Sequence, residues 1–177
     1  SDATVRSSSF TGNSAGYYGG AIYTSSTTTL VVEDTVFDAN TAFYYGGAIY
    51  LYYYVEATLT DNTFTSNEST NGGALYVQQL YSTLTIDTNS FSDNVATTGA
   101  GGAIYTYYYA DMDVTDCTFD GNNAAGVGGA ISAYSVYGAT NVKDSTFTGN
   151  SSTTSGGGAI ATQAYSELAV TGSTFSG

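Results

Sequence analysis

One tetrapeptide, Gly-Gly-Ala-Ile or its Leu variant, recurs six times along the 177 residues of this chain. The copies begin at Gly19, Gly46, Gly72, Gly101, Gly128 and Gly157, so successive copies lie 26 to 29 residues apart. Self-similarity at a fixed period is typical of repeat architectures, in which each unit contacts mainly its neighbours. The chain must therefore fold by stacking one supersecondary unit of this length.

A second motif, Phe-x-x-Asn, alternates with the first. Its phenylalanines are Phe10, Phe37, Phe64, Phe91, Phe119 and Phe147, and Phe175 comes where the next is due. Only Phe43 of the eight phenylalanines lies outside this register. We predict that the seven phenylalanines form a structural ladder inside the stacked units.

The residues before each phenylalanine alternate in the manner of a β-strand. Val32 and Leu30, for example, precede Phe37 by five and seven residues, with Val31 between them. Two apolar positions two residues apart form one face of a strand. The period is short for a helical hairpin repeat, and Thr, Tyr, Val and Ile favour strands. The chain is therefore predicted to be an all-β parallel β-helix, a single domain over residues 1–177, with about six coils of 26–29 residues and two or three short strands in each.

Stacking assigns a role to each repeated position. The glycine pairs are expected at a tight corner that excludes a Cβ atom. The asparagines that follow the phenylalanines are expected to hydrogen-bond along a column at a turn. Cys117 stands two residues before Phe119, where the other coils carry Ser, Thr or Asn, and we interpret it as a small residue in a half-buried column.

The alternating GGAI and FxxN tetrapeptides resemble the repeats of the polymorphic outer-membrane proteins. The resemblance spans essentially the whole chain in six matches. It implies a right-handed, single-stranded β-helix like the passenger of those autotransporter-type surface proteins, which serves adhesion. Nothing in the chain resembles the membrane barrel of that family.

The ends of the chain lack the polar capping coils that solenoids use. The sequence opens at "DATVRSSSF" and closes at "LAVTGSTFSG", both in the strand register. We therefore expect a domain uncapped at both ends. It would be a segment of a longer rod or a subunit that stacks end to end on copies of itself.

Composition restricts the partners and the chemistry. The net charge is −13, Arg6 and Lys143 are the only cations, and there is no His. Nucleic acids and anionic membrane surfaces attract cationic patches, so no nucleic acid is expected as a partner. No apolar run approaches the length of a membrane span, so no direct membrane insertion is expected. An extracellular or cell-surface location is predicted.

Carboxylates recur three residues before several phenylalanines. These positions are Asp34, Asp61, Asp116 and Asp144. The main interpretation is an Asx turn, in which the carboxylate accepts the backbone N–H two residues on. Like charges one coil apart also recruit cations, so calcium is the one candidate cofactor and these four aspartates are its candidate ligands.

Paired acids also keep an enzyme among the alternatives. Asp111, Asp113, Asp116 and Asp120 form an acidic patch of the kind that a glycoside hydrolase needs. They occupy repeat positions, however, whereas active sites usually depart from the local rule. No catalytic residue is therefore assigned.

Tyrosine and two glycosylation sequons complete the surface predictions. The candidate aromatic face for binding or packing comprises Tyr50, Tyr52, Tyr53, Tyr54, Tyr105, Tyr107, Tyr108 and Tyr109. Stacked tyrosines stabilise a sheet, and exposed ones suit glycans or a neighbouring rod. Asn67 and Asn150 begin Asn-x-Ser sequons and are the candidate glycosylation sites.

These observations lead to one principal prediction and two alternatives. The principal one is a non-catalytic extracellular structural rod or end-to-end fibre that carries glycans. The first alternative is an adhesin passenger that binds a cell-surface or glycan partner. The second is a β-helix enzyme that acts on polysaccharides.

Overall fold

A computed structural model describes residues 2–26, 28–135, 137–154 and 156–177. Throughout these residues the chain winds as a parallel β-helix, with four strands in each of six coils and two strands of a seventh. The first three coils comprise β1 (Asp2–Arg6), β2 (Ser9–Thr11), β3 (Ser14–Ala15), β4 (Ile22–Ser25), β5 (Thr28–Glu33), β6 (Val36–Asp38), β7 (Thr41–Ala42), β8 (Ile49–Tyr52), β9 (Val55–Thr60), β10 (Thr63–Thr65), β11 (Glu68–Ser69) and β12 (Leu75–Gln78).

The remaining strands repeat the same order. They are β13 (Thr83–Asp87), β14 (Ser90–Ser92), β15 (Val95–Ala96), β16 (Ile104–Tyr107), β17 (Asp111–Thr115), β18 (Thr118–Asp120), β19 (Asn123–Ala124), β20 (Ile131–Ser135), β21 (Ala139–Lys143), β22 (Thr146–Thr148), β23 (Ser151–Ser152), β24 (Ile160–Ala164), β25 (Glu167–Thr171) and β26 (Thr174–Ser176). The all-β solenoid of about six coils predicted from the repeat is confirmed.

Equivalent strands of successive coils pair in parallel and form four sheets, numbered here by strand order within a coil. The register keeps like residues together: Phe64 pairs with Phe37 on one side and with Phe91 on the other. Each coil has four strands rather than the two or three predicted. The additional elements include the two-residue strands of the third sheet, which are too short to show a period of two in the sequence.

The seven phenylalanines stack as a ladder inside the second sheet. Neighbouring ring centroids lie 4.6–5.1 Å apart and the rings are within 6° of parallel. Phe37, Phe64, Phe91, Phe119 and Phe147 are fully buried. The ladder packs against buried aliphatic residues such as Leu59, Leu75 and Ile86 in one continuous core.

The asparagines of the FxxN motif form a buried hydrogen-bonded ladder beside the phenylalanines. In Asn67 the Nδ2 group donates to the Phe37 carbonyl at 3.0 Å and to Asn94 Oδ1 at 2.9 Å. Its Oδ1 accepts from the backbone N–H and from Nδ2 of Asn40, both at 3.0 Å. Each ladder asparagine from Asn40 onward thus satisfies main-chain groups at a turn that would otherwise be buried without a partner.

A second polar ladder, which sequence reasoning did not predict, runs two residues before the phenylalanines. Its members are Ser8, Thr35, Asn62, Asn89, Cys117, Ser145 and Ser173. Each side chain after Ser8 accepts the backbone N–H of the equivalent residue in the preceding coil. Cys117 is fully buried, and its sulfur accepts from the Asn89 N–H at 3.3 Å and donates to the Thr115 carbonyl at 3.1 Å. Its column is therefore an internal hydrogen-bonded ladder.

The glycine pairs lie at tight corners that exclude a Cβ atom, as predicted, and the two glycines do so for different reasons. Gly46 has a φ of +64°, in the left-handed region that L side chains rarely adopt. A Cβ atom on Gly47 would overlap the Gly73 carbonyl oxygen and lie 2.6 Å from the Glu68 nitrogen. The first glycine turns the chain, and the second lets adjacent coils approach.

Candidate functional site

The outer face of the fourth sheet carries a layer of tyrosines, but much of this layer is buried. Tyr50 and Tyr76 are only 4% and 3% exposed, although their strand neighbours face the core. Tyr45, from the corner before the second glycine pair, stacks on Tyr76 with centroids 4.3 Å apart. Tyr18 covers Tyr50 at 5.2 Å. Tyr50 therefore belongs to a packed external layer and not to an exposed binding face.

Burial in this layer changes the acidity of its hydroxyl groups. Desolvation is the main cause that raises the pKa of Tyr50, Tyr76 and Tyr105 far above the usual tyrosine value. Hydrogen bonding with Tyr108 is the main cause that raises the pKa of Tyr107 to about 12. These phenols therefore remain neutral at any physiological pH and act as packing groups and hydrogen-bond donors.

A different set of tyrosines forms a stack at the corner between the fourth and first sheets, in which every ring except the half-buried Tyr109 is exposed. Its members are Tyr54, Tyr81, Tyr109, Tyr137 and Tyr165, with successive centroids 4.8, 4.8, 6.0 and 6.3 Å apart. We call this set the tyrosine corner. Exposure rises to 73% and 76% at its last two members. Tyr53 is also exposed, whereas Tyr52, Tyr107 and Tyr108 are half-buried.

A recess with a volume of about 740 Å³ opens on the outer side of the third sheet. Its walls include Ser14, Thr41, Glu68 and Thr70, together with the ring of Phe43. Phe43, the one phenylalanine outside the repeat register, is 65% exposed. We call this feature the Phe43 recess.

The two sequon asparagines differ in their surroundings. Asn67 is fully buried, and both of its Nδ2 hydrogens are used inside the ladder. A glycan on Nδ2 would displace these bonds, so Asn67 is unsuitable as an attachment site in the folded protein. Asn150 lies in the sixth coil and is half-buried, and its Nδ2 donates to the Phe119 carbonyl at 2.9 Å.

The four candidate calcium ligands occupy a left-handed turn and form no Asx turn. Asp34, Asp61, Asp116 and Asp144 have φ values of 47° to 55°. The N–H groups two residues on donate to carbonyls of the preceding coil instead, as from Val36 to Ser8 at 2.9 Å. The Asx-turn interpretation is therefore wrong, because coil stacking already uses these donors.

No cluster of acids suitable for a metal is formed in the ranges that the structure covers. There, no group of three or more His, Cys, Asp or Glu side chains comes close enough to hold an ion. In the acidic patch, Asp111 accepts from the Ala139 N–H and Asp113 from Asn141 Nδ2, both at 2.8 Å. These two acids link adjacent coils.

Both cations are paired at the surface. Arg6 Nε lies 2.7 Å from Glu33 Oε2, and Lys143 Nζ lies 3.5 Å from Asp144 Oδ2. Hydrogen bonding to Glu33 is the main cause that raises the Arg6 pKa. Among the described residues no helix is long and apolar enough to cross a membrane.

The whole solenoid corresponds to a known family. The family model described as "Right handed beta helix region" matches residues 1–175. The chain belongs to this right-handed β-helix family. The handedness implied by the resemblance to the polymorphic outer-membrane proteins is thereby supported, while membership of that narrower group remains a prediction. No curated protein and no solved structure shows significant similarity to the chain.

Proposed function

We propose that the chain is a non-catalytic structural segment of an extracellular or cell-surface rod. The observation that carries this proposal is the continuity of the ladders. The Phe ladder and the ladder of Cys117 run from the first coil to the seventh, and the asparagine ladder runs from the first to the sixth, without an interruption. Such ladders link every coil to its neighbours, which is what a structural rod requires.

The rod continues, in this proposal, by stacking further coils on its ends, supplied by the same chain or by another copy. The last strands retain apolar residues in core register: Val170 pairs with buried Val142 yet is 41% exposed. Asn150 at the end of its ladder is positioned to donate to one more asparagine. A further coil would cover both groups in the manner seen throughout the interior.

Electron microscopy of the native protein tests this proposal, with a matched pair of variants. Val170→Lys introduces a charge on the core side of β25, and Ala169→Lys introduces the same charge on its outer side. If copies stack end to end, the first variant shortens the rods and the second leaves them unchanged. Rods longer than one chain that survive Val170→Lys contradict stacking at this end. Particles limited to one isolated chain contradict the rod.

The surface location and glycosylation have their own test. Labelling of intact cells with a membrane-impermeant reagent is expected to modify this chain. Mass spectrometry of the native protein is expected to show no glycan on Asn67, and a glycan on Asn150 only in copies whose last coil is uncovered, because a further coil would use the second Nδ2 hydrogen of Asn150. An unmodified Asn150 in surface-exposed protein that forms no rods contradicts the glycosylation proposal alone.

An adhesin passenger is the second candidate, favoured by the exposed tyrosine corner and by the likeness to the polymorphic outer-membrane proteins. Tyrosine offers a rigid apolar surface with a polar tip, which suits recognition surfaces. In this case a soluble monomer binds cells saturably, and Tyr137→Ser together with Tyr165→Ser lowers that binding. Both residues are largely exposed, so the variants are expected to fold normally.

A polysaccharide-acting enzyme is the least supported candidate. Asp111 and Asp113 already accept hydrogen bonds from the next coil. Turnover of a polysaccharide that is lost in Asp113→Asn or Asp120→Asn would nevertheless favour it.

A further inference from the structure

The side chain of Phe43 has no counterpart in the repeat. At the equivalent position the coils before and after carry Gly16 and Thr70, and both of these smaller residues also line the recess. The Phe43 ring therefore stands beside an open space instead of stacking on like residues. A large exposed apolar side chain that departs from a strict repeat is a candidate for function, since the fold does not require it.

Two further rings lie next to Phe43, outside the residues that line the recess. Tyr44 meets the Phe43 ring edge-on with centroids 4.7 Å apart, and Tyr17 stacks on Tyr44 at 5.7 Å. Tyr17 is 64% exposed. Of the three rings only Phe43 lines the recess, whose volume is typical of small-molecule sites, and Tyr44 and Tyr17 continue the exposed aromatic surface beside it.

The polar side of the recess is rich in hydrogen-bond acceptors. The Thr41 hydroxyl donates to Ser14 Oγ at 3.0 Å, and the Thr70 hydroxyl donates to the Phe43 carbonyl at 2.7 Å. Each hydroxyl oxygen keeps lone pairs that can accept a hydrogen bond from a ligand. The Glu68 carboxylate adds two acceptor oxygens and, within the described chain, forms no hydrogen bond or ion pair of its own.

Charge restricts the occupant further. No cation is among the described residues that line the recess, and Arg6 and Lys143 pair with acids elsewhere. With a net charge of −13 the protein repels anions. A ligand must therefore bring hydrogen-bond donors and an apolar face without bringing a carboxylate or sulfate.

We infer that the Phe43 recess binds a pyranose unit of a neutral oligosaccharide. The sugar's C–H face packs on Phe43, and its hydroxyl groups donate to Glu68, Thr41 and Thr70. This inference does not depend on end-to-end stacking, because the recess lies on the side of the rod. It adds a lateral glycan contact to the rod, separate from the tyrosine corner.

The test is titration of the purified chain with a panel of neutral hexasaccharides of glucose, galactose, mannose and xylose, followed by calorimetry. A hexamer of galacturonate serves as the acidic probe. At least one neutral hexamer is expected to bind saturably at millimolar concentration or below, and the galacturonate hexamer is expected not to bind.

Two variants locate the contact. Phe43→Ser is expected to weaken neutral-sugar binding by about tenfold or more, which is the effect of losing one aromatic contact. Val36→Ser is the matched control: Val36 is an exposed apolar residue of the same coil, on the second sheet. Glu68→Gln keeps acceptor capacity at one oxygen, so a smaller loss is expected.

Several results would overturn the inference. They are no binding by any neutral hexamer, equal binding of galacturonate, or neutral-sugar binding that survives Phe43→Ser. Binding of a basic peptide at Phe43 without any saccharide binding would also overturn it, because the occupant would then be a cation. Circular dichroism of each variant checks that the β-helix is retained.

Discussion

Adjacent asparagines at the start of β19 offer a sharp test of the ladder. Asn122 is fully buried, whereas Asn123 faces outward and its Nδ2 donates to Ser151 Oγ at 2.7 Å at the surface. The substitutions Asn122→Ala and Asn123→Ala remove the same atoms one residue apart. Any difference between them therefore measures the ladder and not asparagine itself.

The hydrogen bonds of Asn122 determine how much stability its substitution is expected to remove. Asn122 Nδ2 donates to the Phe91 carbonyl and to Asn150 Oδ1, and its Oδ1 accepts from the Asn94 N–H and Nδ2, at distances of 2.9–3.1 Å. Each bond contributes about 1 kcal/mol net, so Asn122→Ala is expected to lower the free energy of unfolding by about 4 kcal/mol. The exposed bond of Asn123 contributes less than about 1 kcal/mol.

Urea denaturation followed by circular dichroism measures both values, and amide hydrogen exchange adds a local readout. The Asn94 N–H donates to Asn122 Oδ1, so its exchange is expected to accelerate in Asn122→Ala and to remain slow in Asn123→Ala. Equal destabilisation by the two variants, or an Asn94 amide that stays protected without its acceptor, would refute the reasoning.

Three further predictions concern the core, the corner and the thiol. Phe91→Ala is expected to lower stability by about 3–5 kcal/mol in urea titration, while Phe43→Ala has little effect because its ring is exposed; similar losses would contradict the ladder. Gly102→Ala places a Cβ atom against the Gly129 carbonyl and 2.7 Å from the Asn123 nitrogen. The melting temperature is therefore expected to fall sharply, or the variant to fail to fold. An unchanged melting temperature would contradict the close contact between coils at this glycine. Burial is the main cause that raises the Cys117 pKa from 9.0 to about 11. The buried neutral thiol therefore stabilises the folded protein fully below pH 9, and this stabilisation is lost as the pH rises through 11. Across this pH range the free energy of unfolding is expected to fall by about 2–3 kcal/mol more for the wild type than for Cys117→Ser, as measured by thermal melting at each pH. An equal fall for the two proteins would contradict a buried neutral thiol.

The fold was predictable because six repeats carry the same residue types at the same positions. Phe, Asn and Gly-Gly recur at fixed offsets, and stacking alone converts those offsets into ladders. The role of the Cys117 column was missed because its members share no residue type. Only the register shows that Ser, Thr, Asn and Cys all present an acceptor to the preceding coil.

The surface was less predictable than the core, for reasons of geometry. A period of two correctly points Tyr50 away from the interior, but it does not reveal that Tyr18 folds over it from a corner. The Phe43 recess likewise depends on small residues in the two neighbouring coils. Such features arise between coils that are about 27 residues apart, so local pattern alone does not contain them.

The exact stacking of like on like has a consequence for how such a rod can change in length. A deletion of one residue within a paired strand would move the side chains that follow it in that strand to the opposite face. Removal or duplication of a whole coil, such as residues 63–89, would leave every contact between the remaining coils in phase. The rod can therefore lengthen or shorten by whole coils, whereas the differences of one to three residues between its coils are absorbed in the turns.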